Sequence, residues 1–339
     1  MENTDSRVVQ QLLVPLERFL NNKSLFEVVV NKPGEVWTEG TMGWERFELP
    51  ELTFDKLIRL ARAVASYSEQ GIDETRPLLS ATLPCEERIQ IVVPPATSRN
   101  TVSLTIRKPS TVALSLSEME AKGLFIKDAG GPQGRKAEEA LLLAYRKGQY
   151  RLFLEQAVVA KKNIIISGAT GSGKTTLSKA LIKHIPGNER LISIEDTPEL
   201  TIPQPNHVRL FYSKGSQSIA RVGPKQLLES CLRMRPDRVL LQELRDGTAF
   251  YYIRNINSGH PGSITTLHAD SPELAFEQLT LLIKESEGGR DLNRGDIRSL
   301  LKQSVDIIVQ CCRAQRGFKV TDIYFAAHER TKSNAAKSN

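Results

Sequence analysis

The chain has 339 residues, of which 40% are hydrophobic, 25% charged and 6% aromatic, and its formal net charge is +7. These proportions are typical of soluble globular proteins, so they exclude collagen-like, disulfide-scaffold and wholly disordered classes. The length predicts about two domains, each long enough to bury a hydrophobic core.

The first 127 residues are predicted to form a small α+β domain. Most of its regular segments alternate between apolar and polar residues as antiparallel strands do, and one segment has apolar residues at helical spacing. The turn sequence Asn31-Lys-Pro-Gly34 joins the first two strands. The predicted strands are 26–30, 35–37, 88–93 and 101–107, and the predicted helix is 54–69.

Residues 128–136 are predicted to be a flexible linker, because they are rich in Gly and Pro and lack apolar periodicity. The charge balance changes at the same place. Residues 1–134 carry 15 basic and 18 acidic side chains, whereas residues 135–339 carry 31 basic and 21 acidic ones. A basic second half is compatible with nucleic acid, an anionic membrane surface, a phosphate-binding subunit interface or a solvated basic face.

Residues 137–328 are predicted to form an α/β domain. Continuous apolar strands alternate with helices, which indicates a sheet covered on both faces, as in nucleotide-binding domains. The predicted strands are 163–167, 190–195, 207–212, 238–243, 263–267, 305–311 and 317–327, and the predicted helices are 137–160, 173–184, 224–234, 246–257, 272–286 and 294–303. The tail 329–339 offers little apolar surface to bury and is predicted to be disordered.

The sequence predicts neither a membrane span nor a zinc site. Its uncharged apolar stretches fall far short of the roughly 20 residues that cross a bilayer, and its first residues lack the pattern of a secretory signal. We therefore expect a cytosolic protein. The cysteines form no C-x-x-C pair, and we expect all of them to be buried as small apolar residues; they are Cys85, Cys231, Cys311 and Cys312.

Residues 168–175 carry the strongest chemical motif. They match the pattern G-x-x-x-x-G-K-[ST] between a predicted strand and a predicted helix. Glycines at these positions let backbone N–H groups converge on phosphate oxygens, and the N-terminus of the helix adds its positive dipole. In this pattern Lys174 reaches the β and γ phosphates and the Thr175 hydroxyl binds Mg²⁺. The predicted nucleotide contacts are Gly168, Ala169, Thr170, Gly171, Ser172, Gly173, Lys174, Thr175 and Thr176.

Acidic residues end two of the predicted strands: Glu195 and Asp196 end one, and Glu243 ends another. The C-terminal ends of parallel strands meet at one edge of a sheet, so we expect these carboxylates beside the phosphate loop. An acidic strand end can also cap the following loop. Because a phosphate site needs carboxylates for its metal and its attacking water, two such ends beside one loop favour a functional role.

Four segments together resemble the traffic ATPases of type II secretion, type IV secretion and type IV pili. The first is the phosphate loop. Residues 194–199 are similar to the family's acidic box, residues 232–246 to its second nucleotide motif, and residues 258–269 to its histidine box. Gln242 stands where the family usually has Gly. Segments 30–37, 87–95 and 104–109 also resemble the N-terminal domain of the type IV secretion branch, so the resemblance covers about residues 8–327.

The resemblance implies an α/β fold in which a P-loop RecA-like C-terminal ATPase domain is preceded by a smaller α+β N-terminal domain. It also implies a homohexamer that uses ATP and Mg²⁺, lies in the cytoplasm at the periphery of the inner membrane, and works with inner-membrane secretion components. An anionic membrane surface is a further candidate partner, and we expect no specific nucleic-acid binding.

The resemblance further implies residue roles. Glu195 is predicted to orient and deprotonate the attacking water and Glu243 to hold Mg²⁺, with the reverse assignment left open. Arg88 and Arg107 are predicted to compensate charge on the γ-phosphoryl group. His268 is predicted to couple the γ-phosphate to domain movement.

The sequence thus predicts a Mg²⁺-dependent ATPase that energises a type IV secretion system, through export of protein or DNA–protein substrates or through assembly of the apparatus. The alternative is a DNA-stimulated RecA-like recombinase or helicase motor, but the sequence lacks an obvious aromatic platform for stacking bases. A small-molecule kinase would not need the acidic and histidine boxes. A GTPase is disfavoured because the chain has no Asn-Lys-x-Asp motif.

Overall fold

The structure is a computed structural model, and it describes residues 4–109, 114–125, 131–213 and 219–337. Within these residues, the first domain is built on one antiparallel sheet. Its strands are β1 (Leu25–Val30), β2 (Gly34–Gly40), β3 (Gly43–Leu49), β4 (Leu78–Thr82), β5 (Arg88–Val92) and β6 (Ser103–Arg107). They lie in the order β3-β2-β1-β6-β5-β4, so β1 and β6 occupy the centre.

Helices cover one face of this sheet. They are α1 (Thr4–Leu13), α2 (Glu17–Leu20) and α3 (Phe54–Tyr67). Helix α3 begins where the Thr53 hydroxyl accepts the backbone N–H of Lys56 at 3.3 Å, which satisfies one of the free donors of its first turn. Its apolar stripe, which includes Leu57 and Val64, packs into the core of the domain together with residues of α1 and of the strands.

The second domain alternates strands and helices. Its strands are β7 (Ile164–Gly168), β8 (Leu191–Glu195), β9 (His207–Phe211), β10 (Arg238–Leu241), β11 (Glu243–Leu244), β12 (Ile264–Leu267), β13 (Ile307–Arg313) and β14 (Phe318–Phe325). The remaining helices are α4 (Leu116–Ala121), α5 (Gly131–Arg146), α6 (Tyr150–Val159), α7 (Lys174–Ile182), α8 (Pro224–Cys231), α9 (Thr248–Asn257), α10 (Pro272–Glu285), α11 (Arg294–Ser304) and α12 (Ala326–Lys337). Among the described residues, none of the helices is both long and apolar enough to cross a membrane.

The strands of the second domain place the phosphate loop near the centre. One set has the order β10-β8-β9 and the other β11-β12-β7-β13-β14. All these pairs are parallel except the hairpin of β13 and β14. The chain passes from one set to the other at Gln242, between β10 and β11. Buried apolar residues such as Ile165 and Ile166 lie on both faces of β7, as predicted for a covered parallel sheet.

Several boundaries differ from the prediction. The expected helix 137–160 is two helices, α5 and α6, and α5 begins at Gly131, so residues 131–136 of the expected linker are helical. A proline in the first turn, here Pro132, is compatible with that earlier start. Residues 128–130 lie outside the described residues.

The end of the chain and one cysteine also differ. Helix α12 occupies 326–337, where the sequence predicted disorder from residue 329; its alanines favour a helix, and Ala326 and Ala327 are buried. Of the cysteines, Cys231 and Cys311 are buried and Cys312 is half-buried, but Cys85 is exposed, so the expectation of burial was wrong there. Cys85 lies in the turn between β4 and β5, away from the core.

The two domains are in direct contact. The guanidinium of Arg190 is fully buried between them and donates to Asn31 Oδ1 of the first domain and, at 2.8 Å, to Asn206 Oδ1 of the second. Thr97 also forms an isolated antiparallel bridge with Leu210 of β9. Because a buried guanidinium is costly unless its donors are satisfied, these bonds favour one arrangement of the domains.

Candidate active site

The phosphate loop connects β7 to α7, as its motif requires. Strand β7 ends at Gly168 and helix α7 begins at Lys174, with Gly173 at its N-cap. Gly171 and Gly173 have φ angles of +74° and +89°, which favour glycine. The first turn of α7 therefore directs free N–H groups into the loop, the arrangement that binds phosphate.

Lys174 lies inside this loop. Its Nζ donates hydrogen bonds to Gly168 O at 2.7 Å and to Ala169 O at 2.9 Å. Burial lowers the pKa of Lys174, while the charge of Glu243 acts in the opposite direction. The ammonium group is thus held at the mouth of the loop, where an anionic ligand can replace its carbonyl partners.

Gly173 has a second constraint, which the motif alone does not reveal. A Cβ atom built on Gly173 would lie 2.2 Å from the ring of Phe318, the first residue of β14. The aromatic ring therefore packs directly on the backbone of the phosphate loop. Phe318 was not predicted as a site residue, because nothing in the sequence places the β13–β14 hairpin beside residue 173.

Glu243 and His268 lie next to each other in the structure. Glu243 pairs in register with Thr266 of β12, which in turn pairs with Ile166 of β7. His268 Nε2 lies 2.8 Å from Glu243 Oε1. That oxygen is buried and has no aligned hydrogen bond, so the contact is an ion-pair distance that depends on protonation of the imidazole.

Arg245 is a site residue that the sequence did not single out. It forms an ion pair with Glu243 Oε2, and its Nη1 lies 2.7 Å from Asp196 Oδ2. The hydrogen bond to Glu243 raises the pKa of Arg245 further. Arg245 therefore joins the acidic box to the second nucleotide motif. Its position two residues after Glu243 is the sequence feature from which this role could have been predicted.

Glu195 is engaged differently. Its side chain is fully buried and forms a two-point ion pair with Arg209, at 3.0 Å from Nε and 2.8 Å from Nη2. It also accepts hydrogen bonds from Ser193 Oγ and from the backbone N–H groups of Glu199 and Leu200. Backbone N–H groups hold Glu195, whereas only the partly exposed side chains of Arg245 and His268 pair with Glu243, so Glu195 is less available to an attacking water.

Gln242 has a local role where the family usually has glycine. It is buried, and its Oε1 accepts the backbone N–H of Asp196 at 3.1 Å. Its own carbonyl oxygen accepts the Thr266 hydroxyl at 2.9 Å. The larger side chain is therefore accommodated by hydrogen bonds that hold the acidic box against the strand of Glu243.

Arg88 and Arg107 lie elsewhere in the chain. They are cross-strand partners on β5 and β6, and with Arg233 they line an open cavity of about 860 Å³. Among the described residues, which include the whole phosphate loop, no hydrogen bond or ion pair joins either arginine to that loop. The nucleotide contacts of Arg88 and Arg107 therefore stay a prediction.

The donor atoms at the loop fit a magnesium ion. Thr175 offers a hydroxyl at the start of α7, and Glu243 offers a buried carboxylate oxygen without an aligned hydrogen bond. Hydroxyl and carboxylate oxygens are the ligands Mg²⁺ prefers alongside phosphate oxygens. When bound, the ion would supply positive charge to the phosphates.

Comparison with known proteins identifies the family. Residues 10–336 match the family described as "Type II/IV secretion system protein". The type IV secretion system protein VirB11 of Bartonella quintana is 58% identical over 337 residues, covering 96% of this chain and 95% of that protein. The VirB11 protein of Brucella suis is 46% identical over 301 residues, covering 88% and 83%.

A solved structure is similar along nearly the whole chain. The crystal structure of the VirB11 ATPase from the Brucella suis type IV secretion system, in complex with sulphate, superposes with a TM-score of 0.89 at 41% identity and covers 97% of both chains. The predicted resemblance, the two-domain α/β fold with a RecA-like domain, and the ATPase class are thereby confirmed. The chain belongs to the type II/IV secretion system protein family.

Proposed function

We propose that this protein is a homohexameric, Mg²⁺-dependent ATPase that energises a type IV secretion system. The observation that carries the proposal is the convergence of Lys174, Glu243 and His268 beside a well-formed phosphate loop. Hydrolysis would be coupled to export of protein or DNA–protein substrates or to assembly of the apparatus, as the relatives' membership in such systems suggests.

Lys174 would neutralise the β and γ phosphates, and Thr175 and Glu243 would hold the metal ion. His268 lies against Glu243, where a change at the γ-phosphate could alter its ion pair. Either Glu195 or Glu243 would act as the general base that deprotonates the attacking water. Glu243 is favoured as the base because Arg245 and His268, which pair with its oxygens, are partly exposed side chains that a water can displace. Thr175 would then hold the metal ion directly, and Glu243 would reach it through water.

Arg88 and Arg107 would act on the nucleotide of a neighbouring subunit. The supporting observation is that both line an open, basic cavity that is separate from the phosphate loop of their own chain. Closed rings place one surface of each subunit against a different surface of the next, so a cavity of this kind can receive the neighbour's phosphate loop. This arrangement makes hydrolysis depend on assembly.

The partners follow from the same proposal. The ring would lie in the cytoplasm, at the periphery of the inner membrane, and bind inner-membrane components of the secretion system. The basic excess of residues 135–339 would serve subunit contacts or an anionic membrane surface. Co-purification from membranes tests this part, and recovery of the protein free of every membrane component would contradict it.

The hydrolytic role is tested by Lys174→Ala in the purified full-length chain. We expect ATP turnover to fall at least about 10²-fold because the phosphates lose their main cation, with the circular dichroism spectrum unchanged. Lys183→Ala, at the exposed end of the same helix, is the matched control and should keep full turnover. Undiminished turnover in Lys174→Ala would refute the site, and stimulation of turnover by DNA alone would favour a nucleic-acid motor.

A further inference from the structure

A row of charged residues crosses the first domain at one level of its sheet. Glu39 on β2 pairs in register with Glu27 on β1, Glu27 pairs with Arg107 on β6, and Arg107 pairs with Arg88 on β5. Residues directly opposite each other on neighbouring antiparallel strands share a face of the sheet. The row therefore places two carboxylates and two guanidiniums side by side, and it ends in the basic cavity.

Glu27 is the buried member of this row. Its side chain is 5% exposed, and its Oε1 lies 3.6 Å from Arg107 Nε. Its other oxygen, Oε2, is buried without a hydrogen-bond partner among the described residues. A buried carboxylate with one unsatisfied oxygen costs stability, so its position calls for a reason other than folding.

Among the described residues, Glu27 is the only ion-pair partner of Arg107, although the side chain of Arg107 is 68% exposed. An exposed arginine samples many rotamers, and a fixed carboxylate beneath its Nε restricts them. Arg107 also lines the cavity, together with Arg88 and Arg233.

The other end of the row reaches the second domain. Glu39 forms an ion pair with Arg235 of the second nucleotide motif. Arg235 lies two residues after Arg233, which lines the cavity. Arg235 has a φ angle of +55°, an unusual conformation for a residue with a side chain. The strained backbone is held where its guanidinium meets Glu39, so the row begins at the domain interface and ends at the cavity.

We propose that Glu27 is a positioning residue, which holds Arg107 in the orientation needed to contact the γ-phosphate bound by a neighbouring copy of this chain. The inference rests on the proposed role of Arg107 and adds to it the residue that prepares the arginine. Glu27 itself touches no nucleotide. It acts only through Arg107, and only in its ionised form.

Burial gives this carboxylate an unusual titration. Desolvation raises the pKa of Glu27 to about 7, with Arg107, Arg235 and Arg190 acting to lower it and Glu39 acting to raise it. The ionised form that holds Arg107 is therefore lost as pH falls through about 7. A raised carboxyl pKa also means that the folded state binds the proton more tightly, so stability decreases as pH rises from 4.5 through about 7.

The test compares Glu27→Gln with the wild-type chain in ATP turnover between pH 6 and pH 8.5. We expect kcat of the variant to be about tenfold lower at pH 8.5, because Arg107 is no longer held, and within about twofold of that of the wild type at pH 6. The ratio of the two rates cancels the titration of every other group. Glu45→Gln, on an exposed position of β3, is the control and should follow the wild type throughout.

Stability supplies a second readout. Because Glu27→Gln removes a buried charge, we expect it to melt at a higher temperature than the wild type at pH 8, although it is less active. A purely structural glutamate would give the opposite result. Glu27→Asp keeps the charge but withdraws it from Arg107, and we expect intermediate activity with the pH dependence retained.

Arg107→Gln separates the two proposals. We expect it to lower turnover strongly, and the double variant Glu27→Gln, Arg107→Gln should be no slower than Arg107→Gln alone. If Arg107→Gln is impaired but the ratio for Glu27→Gln stays at one across the pH range, the positioning role is overturned and the role of Arg107 stands. If Arg107→Gln keeps full turnover, the proposed role of Arg107 fails first, and the inference with it.

Discussion

Glu195 ends β8 and Glu243 begins β11, and their surroundings give them different chemistry. The oxygens of Glu195 accept hydrogen bonds from Arg209 and from backbone N–H groups of the following loop. Glu243 instead faces His268 and Arg245 and exerts a charge effect on Lys174. A carboxylate whose partners are side chains at the cleft can exchange them for a metal or a water, whereas one bound to the backbone stabilises a loop.

Replacing each carboxylate by its amide separates these roles. We expect Glu243→Gln to lower kcat at least about 10²-fold and to leave the free energy of unfolding nearly unchanged. We expect Glu195→Gln to cost about 2 kcal/mol of stability, because it leaves Arg209 without its charge partner in a largely buried place. Urea unfolding and steady-state turnover measure both; a stable but inactive Glu195→Gln would restore the assignment of Glu195 as the base.

The ring of Phe318 is expected to stabilise the phosphate loop, and a single substitution tests this. Phe318→Ala removes the ring that packs on Gly173, so we expect the phosphate loop to become more mobile and the Kd for ATP to rise about tenfold. Val320→Ala lies on the same strand with similar exposure and should bind ATP normally. Titration calorimetry and amide exchange of residues 168–175 check this. Equal affinities for the two variants would argue against it.

At the scale of elements, the path from α5 to α6 depends on one backbone conformation. The sequence between them, Lys147-Gly-Gln149, does not interrupt the apolar periodicity, so a single helix was predicted. Gly148 has a φ angle of +68°, which ends α5 in the manner of a left-handed cap. The backbone N–H of Gln149 then bonds to Ala144 O at 3.0 Å, and α6 starts at Tyr150.

Gly148→Ala should therefore destabilise the protein by about 1 kcal/mol, because the left-handed backbone conformation is unfavourable for alanine even where the space around its Cβ is open. Gly187→Ala is a matched control. A Cβ there would also meet open space, and its φ lies outside the left-handed region, so we expect little change or a small gain. Chemical denaturation compares the two, and equal effects would mean that another feature ends α5.

How much the sequence could predict depended on whether the signal was local. The phosphate loop and most strands and helices of the second domain carry their own periodicity and motif, so their positions were predicted to within a few residues. Strand β3 was missed because it is largely exposed and polar, and it is a strand only through its hairpin with β2. The pair of Arg209 with Glu195 was missed because it depends on which strands become neighbours, which no local pattern gives.

At the scale of the whole molecule, the chain carries two parts of one proposed site in different places. The phosphate loop lies at the end of β7, whereas Arg88 and Arg107, on the first domain, line a separate cavity that Arg233 of the second domain also lines. The contacts of the buried Arg190 favour the arrangement of the domains in which these two parts lie apart. A neighbour in a ring is the simplest source of the missing half.

Mixing inactive variants tests this arrangement directly. Lys174→Ala retains both arginines, and Arg107→Gln retains the phosphate loop, so each alone should be inactive. If the site forms between subunits, a 1:1 mixture that reassembles at random should regain about a quarter of wild-type turnover, because about one interface in four then has both parts intact. Mass measurement with and without ATP establishes that mixed rings have formed. Mixed rings without any recovered turnover would mean that each subunit must supply its own arginines.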